Sequence, residues 1–215
     1  MPVPLKIDFV SDISCPWCVI GLRALEQAMA RLDGQVAVDL HFQPFELNPQ
    51  MPAGGQDIDE HLQQKYGSTP EQAALVRERI RAAGAALGFT FSLQTRSRIY
   101  NTFDAHRLLH WAALEGRQLA LKQALFQAYF TDGEDPSNHQ VLIRAAARVG
   151  LDATRAARIL DSNEFAAVVR KEQAFFLDQG IHAVPAVIIN NQHLIQGGQP
   201  VEVFEQALRQ IAGLA

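Results

Sequence analysis

The stretch Ser14-Cys15-Pro16-Trp17-Cys18 contains the only two cysteines of the 215-residue chain. It lies between a short apolar segment, Leu5 to Val10, and a longer segment, Pro16 to Leu32, whose apolar residues recur with helical spacing. We predict a buried strand for the first segment and an amphipathic helix for the second. The two cysteines then fall at a strand-to-helix junction, where a Cys-x-x-Cys pair is typical of thiol–disulfide redox chemistry.

Cys15 is predicted at the N-cap of this helix. Pro16 suits the first helical position, because its missing N–H would have no partner there. The reactive form of a cysteine is the thiolate, which the protein must stabilise. The helix dipole alone contributes only about 0.3–1 kcal/mol. We therefore expect the unpaired N–H groups of Trp17 and Cys18 to point at the Cys15 sulfur.

The apolar spacing predicts different roles for the two sulfurs. Cys18 begins a helix face that continues, in steps of four, three, four and three, through Leu22, Leu25, Met29 and Leu32. Cys18 should therefore be mostly buried, whereas Cys15 precedes this face and should be exposed. We assign Cys15 as the attacking thiol and Cys18 as the resolving thiol. Inert packing or half of a zinc site are the alternatives, but zinc normally takes four ligands, and we expect no metal.

Acidic residues near the motif are candidates for handling its protons. Asp8 is unexpected within an apolar strand. It is either an edge-facing or capping carboxylate, or a semi-buried acid that accepts or relays the proton of Cys18. Asp12 is a second candidate for a charge near the motif, and we expect it in a loop or at a cap.

Composition and charge narrow the function classes. A net charge of −4 gives no reason to expect nucleic acid as a partner. No apolar run is long enough to span a membrane, and the N-terminal residues lack the layout of a signal peptide. The expected location is therefore the cytoplasm, where disulfides are usually transient and catalytic.

The order of predicted elements indicates the fold. Val36 to Gln43 alternates as a half-buried strand and completes a βαβ unit, with this strand at the sheet edge. Helical segments follow from about Asp57 to Gln179. Ala186 to Gln196 then resembles a β-hairpin with a tight turn at Asn190-Asn191, and Val201 to Ile211 forms a last helix.

The two ends of the chain together predict an α/β protein with a thioredoxin fold, βαβ…αββα, that carries a large all-helical insertion. We place the thioredoxin-like domain at residues 1–50 and 176–215. The helical insertion domain then spans residues 51–175.

Three features together resemble the DsbA-like thioredoxin family, and most closely its FrnE-like cytoplasmic branch: Cys15-Pro16-Trp17-Cys18, Val184-Pro185 before the hairpin, and the helical insertion. The resemblance implies that Val184-Pro185 is a cis peptide beside Cys15, although X-Pro bonds are usually trans. It also implies that the backbone of Val184 pairs with an extended substrate. Pro16, Trp17 and Asp8 would support the active site.

The expected function is thiol–disulfide exchange with protein or small-molecule disulfides, by an oxidoreductase or isomerase. We expect no bound cofactor, with glutathione or another thiol reductant as co-substrate. The alternative is a glutathione-dependent isomerase or transferase of the kappa-class or 2-hydroxychromene-2-carboxylate isomerase type, with Asn48, Asn101 and His106 lining its pocket. A third hypothesis is a non-enzymatic module that binds partners beside Pro185. The physiological substrate, the redox potential and the oligomeric state, a homodimer included, stay open.

Overall fold

The computed structural model describes residues 1–92 and 96–214. Its strands are β1 (Val3–Ser11), β2 (Val36–Pro44), β3 (Gln56–Asp57), β4 (Arg98–Ile99), β5 (Ala186–Ile189) and β6 (His193–Gln196). Its α-helices are α1 (Pro16–Arg31), α2 (Ile58–Tyr66), α3 (Pro70–Ala86), α4 (Phe103–Leu114), α5 (Gln118–Phe126), α6 (His139–Arg148), α7 (Ala153–Leu160), α8 (Ala166–Asp178) and α9 (Val201–Ile211). A π-helical turn, Gln127–Thr131, continues α5.

The main sheet has the strand order β2-β1-β5-β6. Strand β1 runs parallel to β2 and antiparallel to β5, and β5 pairs with β6 in an antiparallel hairpin. At the hairpin turn Asn190 and Asn191 have φ angles of 53° and 56°. Two positive φ values match a type I′ turn, whose twist suits a two-residue hairpin. The predicted thioredoxin fold, including β2 at the sheet edge, is confirmed.

Alternate residues of β1 face opposite sides of the sheet. Ile7 and Phe9 belong to the main apolar core, which includes the buried faces of α1 and α9. Val10 belongs to a smaller apolar cluster on the other side, with Phe45 and Phe176. Because successive strand side chains alternate, Asp8 shares the side of Val10 and faces away from α1.

The insertion between β2 and β5 is largely helical. It also contains a short antiparallel ladder, in which Gln56 pairs with Ile99 and Asp57 pairs with Arg98. The prediction of an all-helical insertion was therefore wrong for these four residues. The division at residues 50/51 and 175/176 stays a prediction, and its second boundary falls within α8.

A buried arginine ties α4 to the segment between α7 and α8. Arg107 is only 3% exposed. Its guanidinium donates to the carboxylate of Asp104 at 2.7 Å and to the carbonyl of Glu164 at 2.9 Å. It also donates to the carbonyls of Ile159 and Ser162. The planar guanidinium, with its several donors, thus satisfies backbone carbonyls at the C-terminal end of α7 and in the segment that follows it.

Replacing Arg107 with Met should lower the free energy of unfolding by about 3 kcal/mol, because several buried acceptors lose their donor. Chemical denaturation measures this change. Arg155→Met is the matched control, since Arg155 pairs with Glu164 at the surface and its loss should matter much less. Equal destabilisation by the two substitutions would contradict the role given to Arg107.

Candidate active site

Cys15 is the N-cap of α1, with φ −93° and ψ 111°, and Pro16 follows at the first helical position. Both features agree with the sequence prediction. The N–H of Cys18 donates to the Cys15 carbonyl at 3.1 Å. This N–H is therefore directed at a carbonyl, and the prediction that it points at the Cys15 sulfur was wrong.

Both cysteines are buried free thiols. Cys15 is 4% exposed and Cys18 is 0% exposed. Cys18 was expected to be buried, but the expectation that Cys15 is exposed was wrong. The turn before β5 covers Cys15, whose thiol donates to the carbonyl of Val184 at 3.7 Å.

Val184-Pro185 is a cis peptide, as the resemblance implied. This turn packs against α1 at Gly21, which has no side chain. A Cβ atom on Gly21 would lie 3.1 Å from Cγ of Pro185. The segment after β6 approaches the motif as well, since a Cβ atom on Gly198 would lie 3.0 Å from the Trp17 carbonyl oxygen. Two glycines thus allow the far end of the chain to approach the motif closely.

The structure does not bring Asp8 to the cysteines. The Asp8 carboxylate accepts from Lys6 Nζ at 2.7 Å and from Gln43 Nε2 at 2.6 Å. These partners lie on the sheet face opposite α1. Asp8 is therefore a paired carboxylate on a central strand of the sheet, and it is neither the edge-facing or capping residue nor the acid beside Cys18 that its sequence position had suggested.

Asp12 is the acid that lies at the motif. It is 1% exposed, and its carboxylate accepts from the Ser14 hydroxyl at 2.9 Å, the Leu47 N–H at 2.7 Å and the Thr102 hydroxyl at 2.7 Å. Nε2 of His106 lies 3.6 Å away. Asp12 is thus a loop residue, one of the two expected alternatives, and it also joins the motif to the loop after β2 and to the residue before α4.

The environment of Asp12 favours its charged form. Burial disfavours the carboxylate, but the neighbouring His106 side chain, with the donors Leu47 and Thr102, brings the pKa of Asp12 below its ordinary value. The charged form of Asp12 is therefore favoured in the interior just before the N-terminus of α1.

Lys122 is a functional candidate that the sequence analysis missed. It lies on α5 and is 0% exposed. Its Nζ atom has no hydrogen-bond partner among the described residues and sits 5.0 Å from the ring centroid of Phe126 and 5.8 Å from that of Phe42. The available signal was helical spacing, since Lys122 stands four residues before a core phenylalanine.

The position of Lys122 follows from how α5 covers the sheet edge. The side chain of Gln118 accepts from the N–H of Phe42 and donates to its carbonyl, both at 2.9 Å. This amide therefore replaces the missing neighbouring strand at the edge of β2. Lys122, one turn later on α5, is thereby carried into the interior, beside the rings of Phe42 and Phe126.

Burial and local charges perturb the pKa values of Cys18 and Lys122. The pKa of Cys18 is raised well above its ordinary value by burial, by its hydrogen bond with Cys15 and by the charge of Cys15, while Lys122 acts in the opposite direction. Burial lowers the pKa of Lys122 to about 8, against the opposing influence of Cys18, Asp12 and Cys15. The two groups are thus electrostatic neighbours whose charged forms would stabilise each other.

A cleft of about 140 Å³, which we call the side cleft, reaches Lys122 from outside. It lies between β2, α4, α5 and α8. Its polar and titratable lining comprises His41, Gln43, His106, His110, Gln118, Lys122 and Glu172. Lys122 is thus among the residues that border the side cleft, although its side chain is 0% exposed.

Three lining residues for a glutathione pocket are predicted from the sequence, Asn48, Asn101 and His106. The structure does not bring them together at one cavity. Asn48 accepts from Lys65, and Asn101 donates to Glu46 while its side-chain oxygen accepts from the N–H of Phe103. Only His106, of these three, lines the side cleft.

Residues 6–209 match the DSBA-like thioredoxin domain family, and the chain belongs to this family. It is also similar to the crystal structure of the probable DsbA oxidoreductase SCO1869 from Streptomyces coelicolor. The TM-score is 0.91 and the identity 32%, and the match covers 97% of this chain and 90% of that one.

Two further similarities extend over the full length. The uncharacterized protein YwbO of Bacillus subtilis is 25% identical over 209 residues, which are 97% of this chain and 96% of YwbO. The cytosolic disulfide reductase DsbM of Pseudomonas aeruginosa, solved with GSH, has a TM-score of 0.68 at 18% identity, covering 97% of this chain and all of DsbM (100%). The likeness to DsbM concerns the fold alone.

Within residues 1–92 and 96–214, no group of three or more His, Cys, Asp and Glu side chains is placed to hold a metal ion. In the same ranges, no helix is both long enough and apolar enough to cross a membrane.

Replacing Lys122 with Met should raise the free energy of unfolding at pH 7. Lowering the pKa from 10.5 to about 8 means that folding disfavours the ammonium, by about 3 kcal/mol. This penalty is fully present below pH 8 and is relieved as the pH rises from about 8 towards the unfolded value. Denaturation at several pH values should therefore show a stability difference that shrinks across that window.

The control is Leu125→Met, a volume-conserving change on the same helix, which should show no such pH dependence. A Lys122→Met protein that is less stable than wild type at pH 7, by the same amount at every pH, would contradict the burial penalty.

Proposed function

We propose that this protein is a thiol–disulfide oxidoreductase or isomerase of the FrnE-like type that acts through Cys15 and Cys18. One observation carries the proposal. The two cysteines form a single Cys-Pro-Trp-Cys turn at the N-terminus of α1, with the Cys15 thiol against the carbonyl of Val184 in the cis Val184-Pro185 turn. Membership in the DSBA-like family supports this chemistry.

The reaction proceeds by two exchanges. The Cys15 thiolate attacks one sulfur of the substrate disulfide, and the other substrate sulfur leaves with the bonding electrons. Cys18 then attacks the Cys15 sulfur of the mixed disulfide, so that the Cys15–Cys18 disulfide forms and the second substrate sulfur leaves. The reverse sequence oxidises a dithiol substrate. Two molecules of glutathione, or of another thiol reductant, regenerate the dithiol without any bound cofactor.

Substrate recognition is proposed at the Val184-Pro185 turn. Cys15 is 4% exposed, so a substrate sulfur must approach along this turn and replace the Cys15–Val184 contact. An extended segment that pairs with the backbone of Val184 would place its disulfide over Cys15, a form of β-augmentation. Pro16 and Trp17 are half-buried beside Cys15 and would border the same approach.

The proposed net direction is reduction and isomerisation in the cytoplasm. The thiol pool there keeps most disulfides reduced. The shared fold with a cytosolic disulfide reductase supports this direction. The proposed partners are disulfide-containing proteins or small-molecule thiols, and the chain is proposed to work without nucleic acid or membrane.

The side cleft supports a second candidate, a glutathione-dependent isomerase or transferase. The cleft brings His106 and Lys122 to one small cavity, where a polar ligand would find donors. Cys18 favours the first candidate, since activation of glutathione at Cys15 does not require a resolving thiol. Saturable binding of glutathione to the Cys15→Ser protein by calorimetry would favour the second candidate.

Replacing Cys15 with Ser should reduce the reduction of insulin disulfides by dithiothreitol to the uncatalysed rate, because the attacking sulfur is lost. Turbidity of the released insulin B chain measures this rate. Cys18→Ser is the matched control, the same atom change three residues away. The Cys18→Ser protein should still attack the substrate disulfide through Cys15, but it should accumulate mixed disulfides there. Mass spectrometry of the intact protein detects them.

Unchanged turnover in the Cys15→Ser protein would rule out this mechanism. Wild-type protein that neither catalyses the reaction nor forms mixed disulfides would instead support the third hypothesis, a non-enzymatic module that binds partners beside Pro185. The reduction potential of the Cys15–Cys18 pair against glutathione then assigns the direction. A value well above the cytosolic pool favours isomerisation, and a thioredoxin-like value favours reduction.

A further inference from the structure

The ammonium of Lys122 lacks a partner in a place where a lone charge is costly. It is fully buried, its Nζ atom makes no hydrogen bond within the described part of the chain, and aromatic rings flank it. Burial of an unpaired cation costs several kcal/mol. A fully buried lysine with only ring contacts therefore requires an anion nearby or a second, uncharged state.

The buried carboxylate of Asp12, whose charge acts on Lys122, already has its own donors. The Asp12 carboxylate accepts from Ser14, Leu47 and Thr102 and lies against His106. The other groups whose negative charge would act on Lys122 are the two cysteines. Of the charges that act on Lys122, that of Cys18 is the strongest, ahead of Asp12 and Cys15.

We propose that Lys122 is the proton acceptor of the resolving step: its amine takes the proton of Cys18, and the resulting ammonium is the counter-charge of the Cys18 thiolate. This inference rests on the dithiol function proposed above. It gives the lysine of the helical insertion a direct part in the chemistry of the thioredoxin domain.

The step balances without any outside reactant. Cys18 S–H and the uncharged Lys122 amine become a thiolate and an ammonium, so the net charge of the interior does not change. The thiolate attacks the Cys15 sulfur of the mixed disulfide, the Cys15–Cys18 bond forms, and the substrate sulfur leaves with the bonding electrons. Lys122 has then lost its counter-charge, and it returns the proton to water through the side cleft that it lines.

Both protonation states of Lys122 are accessible near neutral pH, because burial brings its pKa to about 8. Other ionisable groups face the same space and belong in any account of its pH dependence. They are Cys15 and Asp12 beside α1, His41 on β2, His106 and His110 on α4, and Glu172 on α8.

Reaction with 5,5′-dithiobis(2-nitrobenzoate) separates the two exchanges. Attack by Cys15 releases one thionitrobenzoate, and resolution by Cys18 releases the second, so stopped-flow absorbance shows two phases. In Lys122→Met the second phase at pH 7 should slow about tenfold or more, and its pH midpoint should rise by about one unit, since one unit corresponds to a tenfold change in ionisation. The first phase should change much less.

The control Leu125→Met should leave both phases as in wild type. A second phase in Lys122→Met that matches wild type between pH 6 and 9 overturns the role of Lys122. A first phase that persists in Cys15→Ser overturns the dithiol mechanism instead, so the two failures are distinguishable.

Titration without turnover provides an independent test. In Cys15→Ser protein labelled with ¹³C at cysteine Cβ and lysine Cε, the NMR curves of Cys18 and Lys122 should share inflections, because interacting groups titrate as a pair. In Cys18→Ala the curve of Lys122 should have a single inflection. Independent curves for the two groups in the Cys15→Ser protein would overturn the proposal, whatever the enzyme's activity.

Discussion

The rest of the site depends on the hydrogen bonds that the buried carboxylate of Asp12 accepts. It lies where β1 ends and accepts hydrogen bonds from the turn that leads into α1, from Leu47 after β2 and from Thr102 before α4. One charged group thus fixes the Cys-Pro-Trp-Cys motif relative to both the thioredoxin-like domain and the helical insertion. A carboxylate can do this because its two oxygens accept several donors at once, and charge-assisted hydrogen bonds are stronger than neutral ones.

Ionisable groups other than the two cysteines also lie in the interior around this carboxylate. Lys122 and His106 approach from the insertion, and the cysteines approach from the thioredoxin domain. In a medium of low dielectric constant such charges interact strongly and are costly when unpaired. The insertion therefore contributes to the electrostatics of the dithiol as well as to packing, since among the described residues it supplies the lysine whose charge acts on Cys18.

Much of the fold was predictable because its signals are local. The N-cap at Cys15, the edge strand β2 and the hairpin turn at Asn190-Asn191 each follow from a few neighbouring residues. The errors arose where distant segments meet. Cys15 is buried because the Val184-Pro185 turn covers it, and Asp8 faces Gln43 instead of the cysteines because strand side chains alternate between two faces of the sheet.

The sequence by itself determined that two cysteines would share one strand-to-helix turn, with Cys18 on the buried face, since adjacent residues and helical period set both facts. Only the tertiary structure decided which charges surround them. Lys122 stands more than one hundred positions from Cys18, and its burial follows from how Gln118 caps the edge of β2. No local pattern records such a contact, because burial and electrostatic coupling depend on which segments the fold brings together.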